Sequence, residues 1–237
     1  MSIIIPVYNE QENLVKRLSF LSKQTNKFPI EIIVSNSPET SDESAEVCKK
    51  FDKVTYFKSE KKGRATQMNF GAQKAKGDVL LFLHADVALP EDFYEQIINA
   101  IKSRKKAGFF AYKFDRKSFL LDMNSSFTKK DGLFAGGGDQ CQFFTKETFK
   151  SLEGYNEDFC IMEDFEMIDR VRKHKIPYTI IQSKATVSAR KYDTNSWLKV
   201  NLINGYVFLK YKLGIHPTKL RKTYKKLLRE SVNYNGF

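Results

Sequence analysis

Residues 78–90 read DVLLFLHADVALP, a short apolar run that stops abruptly at His84, Ala85 and Asp86. The run at 79–83 is introduced by the turn pair Gly77-Asp78 and has no polar face, so it reads as a strand buried on both sides. Open sheets of such parallel strands bind ligands just beyond their carboxyl ends. His84 and Asp86 stand at that end, two apart and on one side if the chain stays extended. That placement suits a divalent cation held with a phosphate-bearing substrate. Taken alone, the tripeptide is explained equally well as a helix cap or a loop ion pair.

Outward from this strand, strands and helices alternate. Residues 3–7 form a first strand, followed by a helix in which Leu14, Leu18 and Leu21 repeat at i, i+4 and i+7, with Asn9 and Glu12 placed as a capping pair. Residues 31–35 form a second strand, and Asp42 begins a second helix. Residues 54–57 form a third strand, and 64–75 a helix with Met68, Ala72 and Ala75 on one face despite Gly71. After Pro90, Phe93, Ile97 and Ile101 line another helix. This order predicts an α/β protein with a mostly parallel, Rossmann-like sheet covered by helices. Further on, residues 108–115 alternate as a strand with one half-solvated face. FAGGGDQ at 134–140 lets the backbone approach a ligand, or makes a plain turn, before a strand at 141–145. Glu163 and Asp164 open a later helix, where acidic residues also serve the helix dipole.

The 237 residues suffice for one sizeable core, and one domain over 1–237 is expected. Hydrophobic residues make up 41% and charged residues 29%, the balance of an ordinary soluble globular protein. The 40 Lys and Arg against 28 Asp and Glu leave a net charge of +12, which predicts an anionic partner: nucleic acid, a lipid surface or a phosphorylated substrate. Cys48, Cys141 and Cys160 include no Cys-x-x-Cys pair, which argues against a zinc ribbon or disulfide framework and fits a reducing, cytoplasmic setting. Neither GxxxxGKS/T nor GxGxxG occurs, which disfavours a nucleoside triphosphatase or a dinucleotide oxidoreductase. His174 and His216 have no partners at metal-binding spacing. The terminus MSIIIPVYNE lacks the pattern of a secretion signal, so a cytosolic product is expected. Lys199, Asn201, Asn204, Lys210 and Lys212 interrupt the best candidate for a membrane-spanning helix.

SIIIPVYNE at 2–10, HAD at 84–86 and MED at 162–164 resemble the inverting nucleotide-sugar glycosyltransferases of the family 2 type, which have the GT-A fold. KGRATQMNFGAQKAKGDVLLFLHADVALP, GGGDQCQFFTKETFKSLEGY and VSARKY resemble one bacterial branch, the radical-SAM/selenodomain-associated transferase 2 proteins. The likeness runs in order along nearly the whole chain. It implies a GT-A sheet flanked by helices and a helical C-terminal segment. Within it, 1–115 would be the nucleotide-sugar half, 116–195 the acceptor and catalytic half, and 196–237 a basic helical tail.

The resemblance also implies roles. Pro6, Tyr8 and Glu10 would line the nucleotide pocket, with Glu10 meeting the ribose or base. Asn36 stands where many relatives carry Asp for the nucleobase. It both donates and accepts, so uracil recognition survives and UDP is the first donor expected. Asp86 matches the last carboxylate of the DxD-type motif that holds Mn²⁺ or Mg²⁺ on the diphosphate, and His84 occupies the first position. Imidazole suits a hard cation less well than carboxylate, so metal ligation is expected from Asp86. Asp164 matches the general base, with Glu163 as neighbour and substitute. Arg64 and Arg190 would stabilise the departing diphosphate, and Asp139 and Gln140 would lie near the transferred sugar or acceptor. The implied reaction is a metal-dependent displacement at the anomeric carbon by an acceptor hydroxyl, lipid-linked or on a cell-surface glycan.

Near the carboxyl end, Trp197, Val200, Ile203, Val207 and Tyr211 recur near helical spacing, and residues 210–229 hold eight Lys or Arg and no acidic residue. A basic helix with aromatics can lie on the anionic inner face of a membrane, as a peripheral protein. The favoured alternative is that it docks its apolar side on the core and keeps its charges in water. Two other classes compete. A nucleotidyltransferase acting on sugar phosphates would show a glycine-rich basic loop where this chain has PVYNE. A non-catalytic binder of anionic surfaces explains the charge but not the ordered acidic and glycine motifs, and nucleic acid is not the expected partner.

Overall fold

The computed structural model describes residues 1–228. The first half alternates as the sequence predicts: β1 (Ser2–Val7), α1 (Gln11–Gln24), β2 (Glu31–Asn36), α2 (Ser44–Lys49), β3 (Val54–Lys58), α3 (Arg64–Lys74) and β4 (Val79–Phe82). There follow β5 (Val87–Ala88), α4 (Phe93–Lys102), β6 (Ala107–Phe114), α5 (Phe119–Phe127), β7 (Phe143–Thr145), α6 (Lys146–Ser151), α7 (Glu163–Lys173), β8 (Tyr178–Val187), α8 (Trp197–Lys212) and α9 (Pro217–Leu227). The strands make one sheet in the order β3-β2-β1-β4-β7-β6-β8-β5. β1 pairs in parallel with β2 and with β4, so the chain reverses its direction of travel across the sheet there. The crevice at the carboxyl ends of β1 and β4 is the place such sheets offer a ligand.

Both faces of β1 are covered. Ile3, Ile5 and Val7 pack with Leu14, Leu18 and Leu21 of α1, whereas Ile4 packs with Met68 and Ala72 of α3. A Cβ placed on Gly71 would run into the Ile4 side chain, which explains a glycine inside α3: it lets helix and sheet approach closely.

Several expectations are corrected. Asn9 and Glu12 do not cap α1. Asn9 is left-handed, with φ 52°, and accepts from the Ser41 N–H at 2.8 Å, while Asp42 Oδ2 accepts from the Gln11 N–H at 2.8 Å. The helix start is thus capped from the neighbouring loop. The strand expected to have one half-solvated face, β6, lies between β7 and β8 with its first five residues buried. Cys141 is left-handed at φ 48°, so the strand expected from 141 begins at Phe143. β8, ten residues long, follows no simple alternation of buried and exposed residues.

α8 and α9 pack together through Val200, Ile203, Val207 and Leu220, against Ile161 and Met162 ahead of α7. The predicted face of Val200, Ile203 and Val207 therefore docks inward. Of the basic run at 210–229, Arg229 lies outside the described residues, as do 230–237 of the expected tail. Among the described residues no helix is long and apolar enough to cross a membrane.

Candidate active site

Beyond Phe82 the chain does not stay extended. The Val87 N–H donates to His84 O at 3.1 Å, closing a turn that gives His84 and Asp86 different surroundings. His84 is 8% exposed and packs against Gly138, and a Cβ built on Gly138 would meet both the His84 ring and the Asp164 carboxylate. Burial, and secondarily Arg64, push the His84 imidazole well below its usual range, so it is neutral.

Glu163 and Asp164 open α7 behind Met162, which is left-handed at φ 67°. Both side chains are buried, yet only Asp164 lines the adjoining cavity. Arg64, at the start of α3, donates through Nε to Glu163 Oε1, and its Nη2 lies 3.5 Å from Asp164 Oδ2. Glu163 Oε2 is buried without a hydrogen-bond partner. Burial first, and then the charge of Glu163, raise the Asp164 carboxyl well above the usual carboxylate range, against the pull of Arg64.

The carboxylate at Asp86 meets a second cation. Arg190, in a single 3₁₀ turn (Arg190–Tyr192) after β8, places Nη2 2.7 Å from Glu10 Oε1 and 3.3 Å from Asp86 Oδ2. Burial and the neighbouring charge of Asp139 push Asp86 up to about 6, with Arg190 opposing and Glu10 reinforcing. Asp139 sits on the 3₁₀ turn Gly138–Gln140, with Lys191 Nζ 4.0 Å away.

Among the described residues, no group of three or more His, Cys, Asp or Glu side chains is arranged to hold a metal. The crowding of Asp86, Asp139 and Glu10 nonetheless fits a hard cation that takes one or two protein carboxylates and completes its shell with ligand oxygens. His84, beside the Arg64 charge, fits such an ion poorly.

Of the other predicted residues, Pro6 is buried within β1 and Tyr8 is half-buried just beyond it. Asn36, 2% exposed at the end of β2, accepts from Thr40 Oγ1 at 2.6 Å and donates to Tyr56 Oη at 3.1 Å. Its amide thus fastens the following loop. Gln140 is likewise turned inward: Oε1 accepts from the Gly136 N–H at 2.7 Å and Nε2 donates to Phe110 O at 3.0 Å. It shapes the glycine turn.

Three residues escaped the sequence reading. Gln142 donates to Gly136 O at 2.6 Å and to Asp164 O at 2.8 Å, while accepting from Tyr155 Oη at 3.0 Å. Gln67 ties Val7 O and Ser35 O, each at 2.8 Å, across the ends of β1 and β2. Arg17 of α1 stands in the field of Asp86, with Nε buried and without a hydrogen-bond partner. A buried Gln or Arg has no local pattern that would announce it.

A cavity of about 480 Å³ adjoins Asp164, walled by Phe127 of α5, Gly137 and Gly138, Phe165, Phe208 of α8 and Tyr224 of α9. Arg64, Asp139, Gln140 and Asp164 belong to its lining; Pro6, Tyr8, Glu10, Asn36, His84, Asp86 and Arg190 do not. The predicted residues therefore form two groups that meet at Asp139, Asp164 and Arg64.

The model of the glycosyl transferase family 2 matches residues 2–170. Among curated proteins, the chain is 32% identical over 106 residues to a dolichol-phosphate mannosyltransferase of Pyrococcus furiosus, covering 44% of this chain and 30% of that one. The match spans less than a third of that relative's length. Among solved structures, S. aureus TarS superposes with a TM-score of 0.65 at 12% identity, covering 95% of this chain and 42% of that one. Its 1–349 form in complex with UDP-GlcNAc gives 0.60. The mannosyltransferase PcManGT from Pyrobaculum calidifontis, in complex with GDP-Man and Mn²⁺, gives 0.64 at 14% identity, covering 94% of this chain and 67% of that one. At these identities the superpositions establish a common fold, GT-A.

Proposed function

Because the chain belongs to glycosyl transferase family 2, we propose that it moves a sugar, with inversion, from a nucleoside-diphosphate sugar to an acceptor hydroxyl, Asp164 acting as general base. The observation that carries this reading is the position of Asp164: it is the one carboxylate of the Glu163-Asp164 pair that lines the cavity, and it abuts Gly138 where the two groups of residues meet. GDP-Man and UDP-GlcNAc on neighbours of the same fold support a nucleotide-sugar donor.

The donor would lie at the carboxyl ends of β1 and β4, along Tyr8, Glu10 and Asp86. UDP is the first donor nucleotide to test, although the inward turn of Asn36 leaves its amide little to present to a base. Asp86 would hold Mn²⁺ or Mg²⁺, which supplies charge neutralisation at the diphosphate. Arg64 and Arg190 flank the same region and would add positive charge where the departing diphosphate gains negative charge. The acceptor would enter the cavity, whose aromatic wall suits an acceptor with an apolar part, such as a lipid-linked one. Asp164 would take the hydroxyl proton. The raised carboxyl makes Asp164 a stronger proton acceptor once it is ionised than an ordinary aspartate is. The three stretches 1–115, 116–195 and 196–237 would be the donor half, the acceptor and catalytic half, and the basic tail of one domain.

The test measures nucleoside diphosphate release from a panel of UDP- and GDP-sugars with Mn²⁺ and candidate acceptors. Wild type should release diphosphate from one donor, and chelation with EDTA should stop it. Asp164→Asn should retain donor-induced thermal stabilisation and lose transfer. Transfer at the wild-type rate in that variant would overturn the assignment of the base.

A further inference from the structure

α8 is apolar on two opposite faces. Val200, Ile203 and Val207 are buried against α9 and the approach to α7. On the other side Leu198, Leu202, Leu209 and Leu213 are 59%, 64%, 57% and 70% exposed. These four recur at i, i+4, i+11 and i+15, which places them on one stripe of the helix. α5 adjoins α8. Its Phe119 and Phe127 are 82% and 68% exposed, and its Asn124 donates to Asn201 Oδ1 of α8 at 3.0 Å. Phe134, itself 60% exposed, packs its ring 4.7 Å from that of Phe208. Single exposed leucines are ordinary, but large apolar side chains gathered on one side of a molecule mark an interaction site.

The surrounding charge identifies the partner. Residues 197–228 contain eight Lys or Arg and no Asp or Glu. By helical spacing Lys199 and Lys210 border the leucine stripe, and Lys210 Nζ lies 4.5 Å from the centre of the exposed Tyr206 ring. Apolar side chains edged by lysine and tyrosine suit the boundary between acyl chains and anionic headgroups. A second copy of this chain would set the same basic border against itself, whereas anionic lipid neutralises it. Phe127 and Phe134 belong both to this face and to the lining of the Asp164 cavity, so the cavity opens there.

We propose that the outer face of α5 and α8 is a membrane-docking surface that seats the protein on an anionic bilayer and presents the mouth of the cavity to lipid. Exposed leucine and phenylalanine supply the insertion, and the lysines select the headgroup charge. The proposal rests on this face and not on the transferase reading.

The test is co-sedimentation of the full chain with vesicles of phosphatidylcholine plus phosphatidylglycerol, against phosphatidylcholine alone. Wild type should pellet with the anionic vesicles, less so as salt is raised. The triple variant Leu198→Ser, Leu202→Ser, Leu209→Ser should partition at least about tenfold more weakly with its thermal midpoint unchanged, since it removes exposed apolar area only. The pair Phe119→Ser, Phe127→Ser on α5 should weaken binding independently. Pelleting of both variants at the wild-type level overturns the proposal, as does a wild type that stays in solution with both vesicles. Light scattering that shows a dimer dissolved by the triple variant, without vesicle binding, assigns the face to self-association instead. No donor or acceptor enters the assay, so its failure leaves the transferase reading untouched.

Discussion

Arg190 brings its Nη2 to 3.3 Å from Asp86 Oδ2 across 104 residues of chain, and yet Asp86 holds its proton more tightly than an ordinary aspartate does. Burial together with Asp139 and Glu10 outweighs the single cation. The site is thus short of positive charge at Asp86.

This imbalance has a pH signature in metal-free protein. Because the folded pKa is raised, from 3.8 to about 6, the folded state binds the proton more tightly than the unfolded state. Stability from this group is therefore greatest below about pH 4, declines as pH rises to about 6, and is level above. Asp86→Asn should remove the loss and stabilise the protein at neutral pH by on the order of 1–3 kcal/mol, with little difference at pH 4. Thermal melts in EDTA across this range check it; a pH-independent difference would contradict the ionisation argument.

Gly138→Ala should be disproportionately harmful for one methyl group. The added Cβ meets the His84 ring and the Asp164 carboxylate, so both must shift. A cost of about 1–3 kcal/mol is expected, with a larger relative loss of transfer, of about a hundredfold, from misplacement of the base. Gly132→Ala is the control, since nothing lies within 4 Å of its added Cβ and both quantities should stay near wild type.

Gln142→Leu should lower stability by about 2–3 kcal/mol, because it leaves Gly136 O, Asp164 O and Tyr155 Oη without their buried partner. Tyr155→Phe removes one of these bonds and should cost about 1 kcal/mol. Denaturant melts that rank the two variants in the reverse order would remove Gln142 from its structural role.

The acid limb of the transfer rate should move in opposite directions for two neighbours of Asp164. Glu163 raises the Asp164 carboxyl and Arg64 lowers it. Glu163→Gln should therefore shift the limb to lower pH, and Arg64→Gln to higher pH, whatever each does to the maximal rate. A limb that stays in place in both variants would show that another group sets it.

The places of Asp86 and Asp164 in the fold were legible without coordinates: one follows an apolar strand that ends and the other opens a helix, and local patterns are enough to place both, whereas Glu10 was singled out by the family resemblance. The pairing of Glu163 with Arg64 was not legible, because 99 residues separate them and charge pairing follows the path of the chain through space. The same holds for Gln142, which became important only when β7 was inserted beside β4.

From the sequence alone followed the alternating α/β order, the end of β4 at His84-Ala85-Asp86 and the family resemblance, since each depends on residues within a turn or two of one another. Only the tertiary structure decided that His84 and Asp86 part company at a turn, that Asn36 and Gln140 face inward, and that α8 keeps a second apolar face in solvent. Burial is a property of what packs against a side chain, and the order of strands in the sheet, set by contacts far apart in sequence, determines which neighbour that is.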